Sequence, residues 1–134
     1  MSLEVGRLEQ LKHAHDIYVN TSIGVSHFIT TFQYRTRDEI ANIISYTSEI
    51  LSSLVNVLGW NLERSIYIYE RPAQLLTNNL IEKLNTYLRN YADYTHQGWL
   101  LILSELRNDL ISIKQVIKIG LDNARLEWRR MQIS

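Results

Sequence analysis

The chain predicts an all-α fold, an antiparallel up-down-up-down bundle of four long helices, on three observations. Apolar residues recur in steps of three and four over nearly the whole length, the period of helices that bury one face. Punctuation is sparse: one proline and five glycines supply too few turns for a many-stranded fold. A capping sequence and the lone proline fall between the periodic runs, where helices start. At 134 residues the chain reads as a single domain, 1–134, long enough to bury a core. The helices are expected over about 3–34, 37–70 with a break near 59, 72–96 and 99–132.

In the first segment Leu8, Leu11, His15, Tyr18, Ser22, Val25, Ile29 and Phe32 form a seam, with His15 read as a hydrogen-bonded core histidine. Thr36-Arg37-Asp38-Glu39 is a capping box, in which threonine and glutamate satisfy free backbone donors at a helix start. Ile40, Ile43, Ile44, Thr47, Ile50, Leu51, Leu54 and Leu58 then line one face. Gly59 either ends this helix or lets it run on through Leu62, Ile66 and Tyr69 to Pro72, which suits the first turn of the next. Ala73, Leu76, Leu80, Leu84, Tyr87, Tyr91 and Tyr94 give the third stripe, and Gln97-Gly98 the break after it. Trp99, Leu103, Leu106, Leu110, Ile113, Ile117, Ala124, Trp128 and Met131 give the fourth, with Gly120 its weak point.

Fourteen acidic and fourteen basic residues cancel, so no global field draws the chain to nucleic acid or acidic lipid. There is no cysteine, which excludes disulfides, thiolate metal sites and a cysteine nucleophile. Charged residues interrupt the first twelve positions as no signal peptide would. The least charged run carries a serine and asparagine stripe that a membrane span would not. The expectation is a soluble chain, cytoplasmic or within a virion, with no membrane span.

Charge is missing in blocks. Residues 17–34 hold no Asp, Glu, Lys or Arg, 40–62 hold only Glu49, and 94–104 hold none. In the simplest up-down topology these blocks meet at one end of the bundle. Neutral surface of that extent points to contact with another copy of the chain. The outer face of helix two is read as Asn42, Ser45, Ser48, Glu49, Ser52 and Asn56, small and nearly neutral, therefore cheap to desolvate. The interface residues expected are Ser45, Ser48, Ser52 and Asn56 with Ile23, His27 and Thr30.

Three other constellations carry candidate chemistry. Glu9, His13 and Asp16 share a helical face, but no Glu-x-x-His occurs and no second helix offers a matching cluster, so no metal or other cofactor is expected. Arg125, Trp128, Arg129 and Arg130 mix basic and aromatic groups, as a nucleic-acid contact does; Glu127 dilutes them, and Glu4, Glu9, Glu63 and Glu70 are expected at the same end. Arg89-Asn90-Tyr91-Ala92-Asp93-Tyr94-Thr95-His96 resembles the arginine, four-to-six residues, histidine motif of HEPN-domain ribonucleases. Asn90 matches the polar residue that often follows the arginine. The spacing is at the long limit, and Gly98 stands where those proteins often have tyrosine. The resemblance implies a metal-independent ribonuclease with a site composed by two subunits. In it His96 would move the 2′-hydroxyl proton and Arg89 would hold the phosphate, both facing one groove two helical turns apart.

The sequence is therefore read as a non-catalytic protein with coiled-coil-like seams acting through self-association. It would be a homo-oligomeric structural or adaptor subunit, of the kind used in viral or other prokaryotic assemblies. The HEPN-type ribonuclease is the alternative, and a nucleic-acid-binding module the third reading.

Overall fold

A computed structural model of the chain describes residues 2–62 and 67–133, with side chains placed in 6–62 and 67–132. Among the described residues there are four α-helices and no strand: α1 (Ser2–Thr30), α2 (Arg37–Leu58), α3 (Arg71–Arg89) and α4 (His96–Ile133). Short 3-10 turns lie at Phe32–Tyr34, Ile68–Glu70 and Tyr91–Asp93.

Local chemistry sets most boundaries. α1 runs unbroken through Gly24 and ends at Thr30, four residues before the expected limit. There Thr30 and Thr31 turn their hydroxyls back onto the His27 and Phe28 carbonyls, and the chain tightens into a 3-10 turn. The capping box forms as read: Thr36 Oγ1 accepts from the Glu39 amide, and the Glu39 carboxylate accepts from the Thr36 amide. α2 stops at Leu58, because Gly59 takes the left-handed conformation at φ 70°. The Gly59 and Trp60 amides then close onto the Asn56 and Val55 carbonyls, at 3.3 and 2.9 Å, the pattern of a Schellman cap. Ile66 and Glu63, in the longer version of this helix, lie outside the described residues. Pro72 sits in the first turn of α3.

Two expectations about the third connection need correction. α3 ends at Arg89, not 96, and α4 begins at His96, not 99. Thr95 caps α4, its hydroxyl oxygen accepting from the Gly98 amide at 3.0 Å. Gly98 therefore lies inside the first turn and is not the break.

Cross-contacts show how the helices pair. α1 packs mainly along α4, and α2 along α3, whereas α1 and α2 touch sparingly. Phe32 meets His96, with ring centroids 4.4 Å apart, while at the other end of α1 Arg7 reaches Glu70. Ser48 on α2 bonds Asn85 on α3, and Lys83 on α3 bonds Glu105 and Asp109 on α4. The core holds Leu11, Tyr18, Ile40, Ile44, Leu51, Leu84, Trp99, Leu103, Leu106, Leu110 and Ile117, all nearly inaccessible.

Several stripe assignments shift. Leu76 is 41% exposed, while Gln74 and Thr77 are buried in its place. Both are held by polar partners: Thr77 shares a 2.6 Å hydrogen bond with Tyr18 across the core, and Gln74 donates to the Trp60 and Leu62 carbonyls. Met131 is exposed and Leu121 takes its share of the α4 seam. His15 is only partly covered, its Nδ1 3.9 Å from Asp16, so it is not a core histidine.

Candidate functional site

The weak α1–α2 contact leaves an open cleft down one side of the molecule. Its upper part, about 290 Å³, lies between Asn20, Thr21, Gly24 and Val25 of α1 and Ile43, Tyr46, Thr47 and Ile50 of α2. A second part of about 240 Å³ continues from Ile50 past His13, Ile17, Ser53 and Val57. Neither wall contributes an Asp, Glu, Lys or Arg. Three large apolar side chains on the two helices stand largely in solvent: Ile23 at 61%, Tyr46 at 64% and Val57 at 61% exposure. The cleft is open because the facing positions of α1 are short or polar, so closing it would bury little apolar area. Leu11, Tyr18 and Phe28 of α1 turn instead toward the core.

Of the interface residues expected from sequence, Ile23, His27 and Thr30 are exposed on α1, and Asn56 on α2. The α2 serines are different. Ser48 is 7% exposed and donates a 3.0 Å hydrogen bond to Asn85 Oδ1, so it belongs to the α2–α3 contact and not to an outer face. Ser45 and Ser52, one turn to either side, are half-buried. The exposed face of α2 runs through Asn42, Tyr46, Glu49, Ser53, Asn56 and Val57; Asn42, Glu49 and Asn56 were expected there, whereas Tyr46, Ser53 and Val57 were not. Tyr46 was the available signal: an aromatic residue off the core stripe of an amphipathic helix.

The bundle end where the uncharged blocks were placed is not itself uncharged. Phe32 does meet His96 there, but Arg35, Arg37, Asp38, Glu39, Arg89 and Asp93 surround them at least partly exposed. Arg37 donates to the Tyr94 carbonyl and lies over the Tyr91 ring, and the Tyr91 hydroxyl donates to Asp38 at 3.2 Å. Arg35, bonded to Glu39 at 2.8 Å, holds the Glu39 carboxyl below its ordinary range. The neutral surface is thus a lateral cleft, not an end.

Arg89 and His96 do not share a helix. The chain leaves α3 after Arg89, passes through the Tyr91–Asp93 turn, and starts α4 at His96, so the two-turn spacing on one groove does not exist. Arg89 donates to Thr86 Oγ1 at 3.1 Å, and His96 packs on Phe32. Asn90 is the C-cap of α3.

At the far end of α4, Arg125 pairs loosely with Asp122 at 3.6 Å, and Trp128 is half-buried with its indole N–H enclosed. Arg129 and Arg130 are exposed. The acidic partner expected nearby, Glu70, is committed elsewhere: it is 1% exposed and accepts from Arg7 through both oxygens. It also accepts from the Trp60 indole N–H at 2.8 Å. Arg7 further donates to the Leu58 carbonyl at 2.8 Å, and its guanidinium lies 5.1 Å from the centre of the Tyr67 ring. This buried network fastens the start of α1 to the segment after α2, and sequence reasoning missed it. The side chains of Glu4 and Glu63 lie outside those described.

Among the described residues no three His, Asp or Glu side chains cluster as a metal site, and no helix is long and apolar enough to cross a membrane. No protein-family model, curated protein or solved structure matches the chain.

Proposed function

We propose that this protein is a non-catalytic structural or adaptor subunit, an antiparallel up-down-up-down bundle that works by self-association through its α1–α2 side. The observation that carries the reading is the uncharged lateral cleft flanked by exposed Ile23, Tyr46 and Val57. Large apolar groups held in water along an unfilled groove are characteristic of surfaces that bind. The bundle arrangement is supported by which helix ends meet: the end of α1 with the start of α4 (Phe32 with His96), the starts of α2 and α4 (Arg37 with Tyr94), and the starts of α1 and α3 (Arg7 with Glu70). A homo-oligomer of this kind suits a viral or other prokaryotic assembly.

The test is molar mass by light scattering over a hundredfold concentration series. An oligomer that dissociates on dilution is expected, and a strict monomer at all concentrations would remove the reading. RNA cleavage by the wild type, lost in both Arg89→Ala and His96→Ala, would replace it with the ribonuclease.

A further inference from the structure

Gly24 lies in the body of α1, facing the cleft. Glycine weakens a helix interior relative to alanine, and here the fold of one chain does not ask for it. Its φ is not positive, and a Cβ built on it meets nothing within 4 Å. Gly120, by contrast, faces the Tyr69 carbonyl, 2.7 Å from where its Cβ would stand. The space above Gly24 is free in the single chain, as it is above Gly6, but of the two only Gly24 lines the cleft, so an occupant of that space must come from outside. Tyr46, an aromatic side chain 64% exposed, lines the same groove from α2.

Resting on the self-association reading, we infer that the occupant of the cleft is the same cleft of a second copy, in a closed two-fold dimer. The axis runs along the groove, parallel to the helices. That operation lays α2 of one protomer over α1 of its partner at the same level. Each Tyr46 ring then enters the space above the partner's Gly24, giving two equivalent contacts. Charge selects this occupant over others. A nucleic acid or anionic lipid would find no Lys or Arg on either wall and His13 alone as a titratable group besides Tyr46, and a charged peptide would bury charge without a partner. A second copy brings a surface as neutral as the first, and the chain's net charge of zero adds no long-range repulsion.

The chain has no cysteine, so an introduced thiol is unique. Gly24→Cys protein mixed with Tyr46→Cys protein is expected to form the mixed disulfide dimer under mild oxidation, faster than either variant alone. This follows from the short Cα separation a disulfide requires. In parallel, Gly24→Leu should fill the groove, keep its helical circular dichroism, and weaken the wild-type dimer by roughly tenfold or more in Kd, as loss of a central anchor does. An oligomeric wild type whose Gly24→Leu variant associates equally well, or whose mixed pair cross-links no faster than in urea, would overturn this contact and leave self-association standing. Assembly larger than a dimer would overturn the two-fold closure. A monomeric wild type would overturn both.

Discussion

A single backbone approach decides what residue 120 can be. The Tyr69 carbonyl oxygen lies 2.7 Å from the position a Cβ would take on Gly120, and backbone cannot swing aside as a flexible side chain can. Gly120→Ala should therefore destabilise the protein by about 1 to 3 kcal/mol, the usual cost of overpacking. An alanine at position 24, where space is open, should be neutral or stabilising. Urea unfolding of the two variants checks the contrast, and equal midpoints would deny the close approach. Arg7 is a second residue with a specific partner. Replacing it with Met leaves Glu70 buried without its guanidinium and should cost about 3 kcal/mol. A much smaller loss on thermal unfolding would mean that Trp60 and solvent suffice for the carboxylate. Neither feature was legible in the sequence: Gly120 read as a weak point in a helix, and Glu70 as one of several acidic residues near a helix end. Both depend on segments far apart in sequence, and periodicity carries no information about such meetings.

At the scale of the elements, the α3–α4 contact carries a charged cluster. Desolvation opposes the Lys83 ammonium, yet its hydrogen bonds to Glu105 at 2.5 Å and Asp109 at 3.0 Å hold its pKa above the ordinary value. The same bond from Lys83 holds the Glu105 carboxyl below its ordinary 4.5. A lowered carboxyl pKa contributes stability above about pH 4.5, which is lost as pH falls through the folded value. The raised Lys83 pKa contributes stability below 10.5, which is lost as pH rises through its folded value. Thermal unfolding should thus show wild type above Lys83→Met by a constant margin at neutral pH, narrowing below about pH 4.5. A margin that does not change with acid would mean the cluster is fully screened, as partly exposed pairs often are. Helix limits were legible at the strongest local devices, Thr36 and Pro72, and not at the Thr30–Thr31 end of α1. The Thr95 cap was written in the sequence too, but Gln97-Gly98 looked like the stronger break. A glycine amide at the third position serves the cap as well as any other amide.

For the whole molecule, the cleft and the α2–α3 contact make opposite demands on two neighbouring positions of α2. Ser48→Glu should place a carboxylate in the contact with Asn85, lowering the thermal midpoint whatever the oligomeric state. Tyr46→Glu should leave the fold intact and dissociate the oligomer, because it charges an exposed cleft wall. Light scattering beside circular dichroism separates the two. Dissociation by Ser48→Glu with unchanged stability, and none by Tyr46→Glu, would return the interface to the serine face.

The amino-acid sequence alone determined the helical class, the capping box, the start of α3 at Pro72 and the unusual lack of charge over residues 17–34 and 40–62. These are local or compositional properties, set by neighbours within a turn or two. It did not determine which helices close against each other. The simplest topology suggested α1 beside α2, yet α1 lies mainly along α4: Leu11 and Tyr18 are buried in the core, while Asn20, Thr21 and Gly24 face α2 across an open cleft and offer it little apolar area. That competition is between faces distant in sequence and is resolved only when all four helices pack. Its outcome turned Ser48 inward, left Tyr46 in solvent, and moved the neutral surface from the end of the bundle to its side.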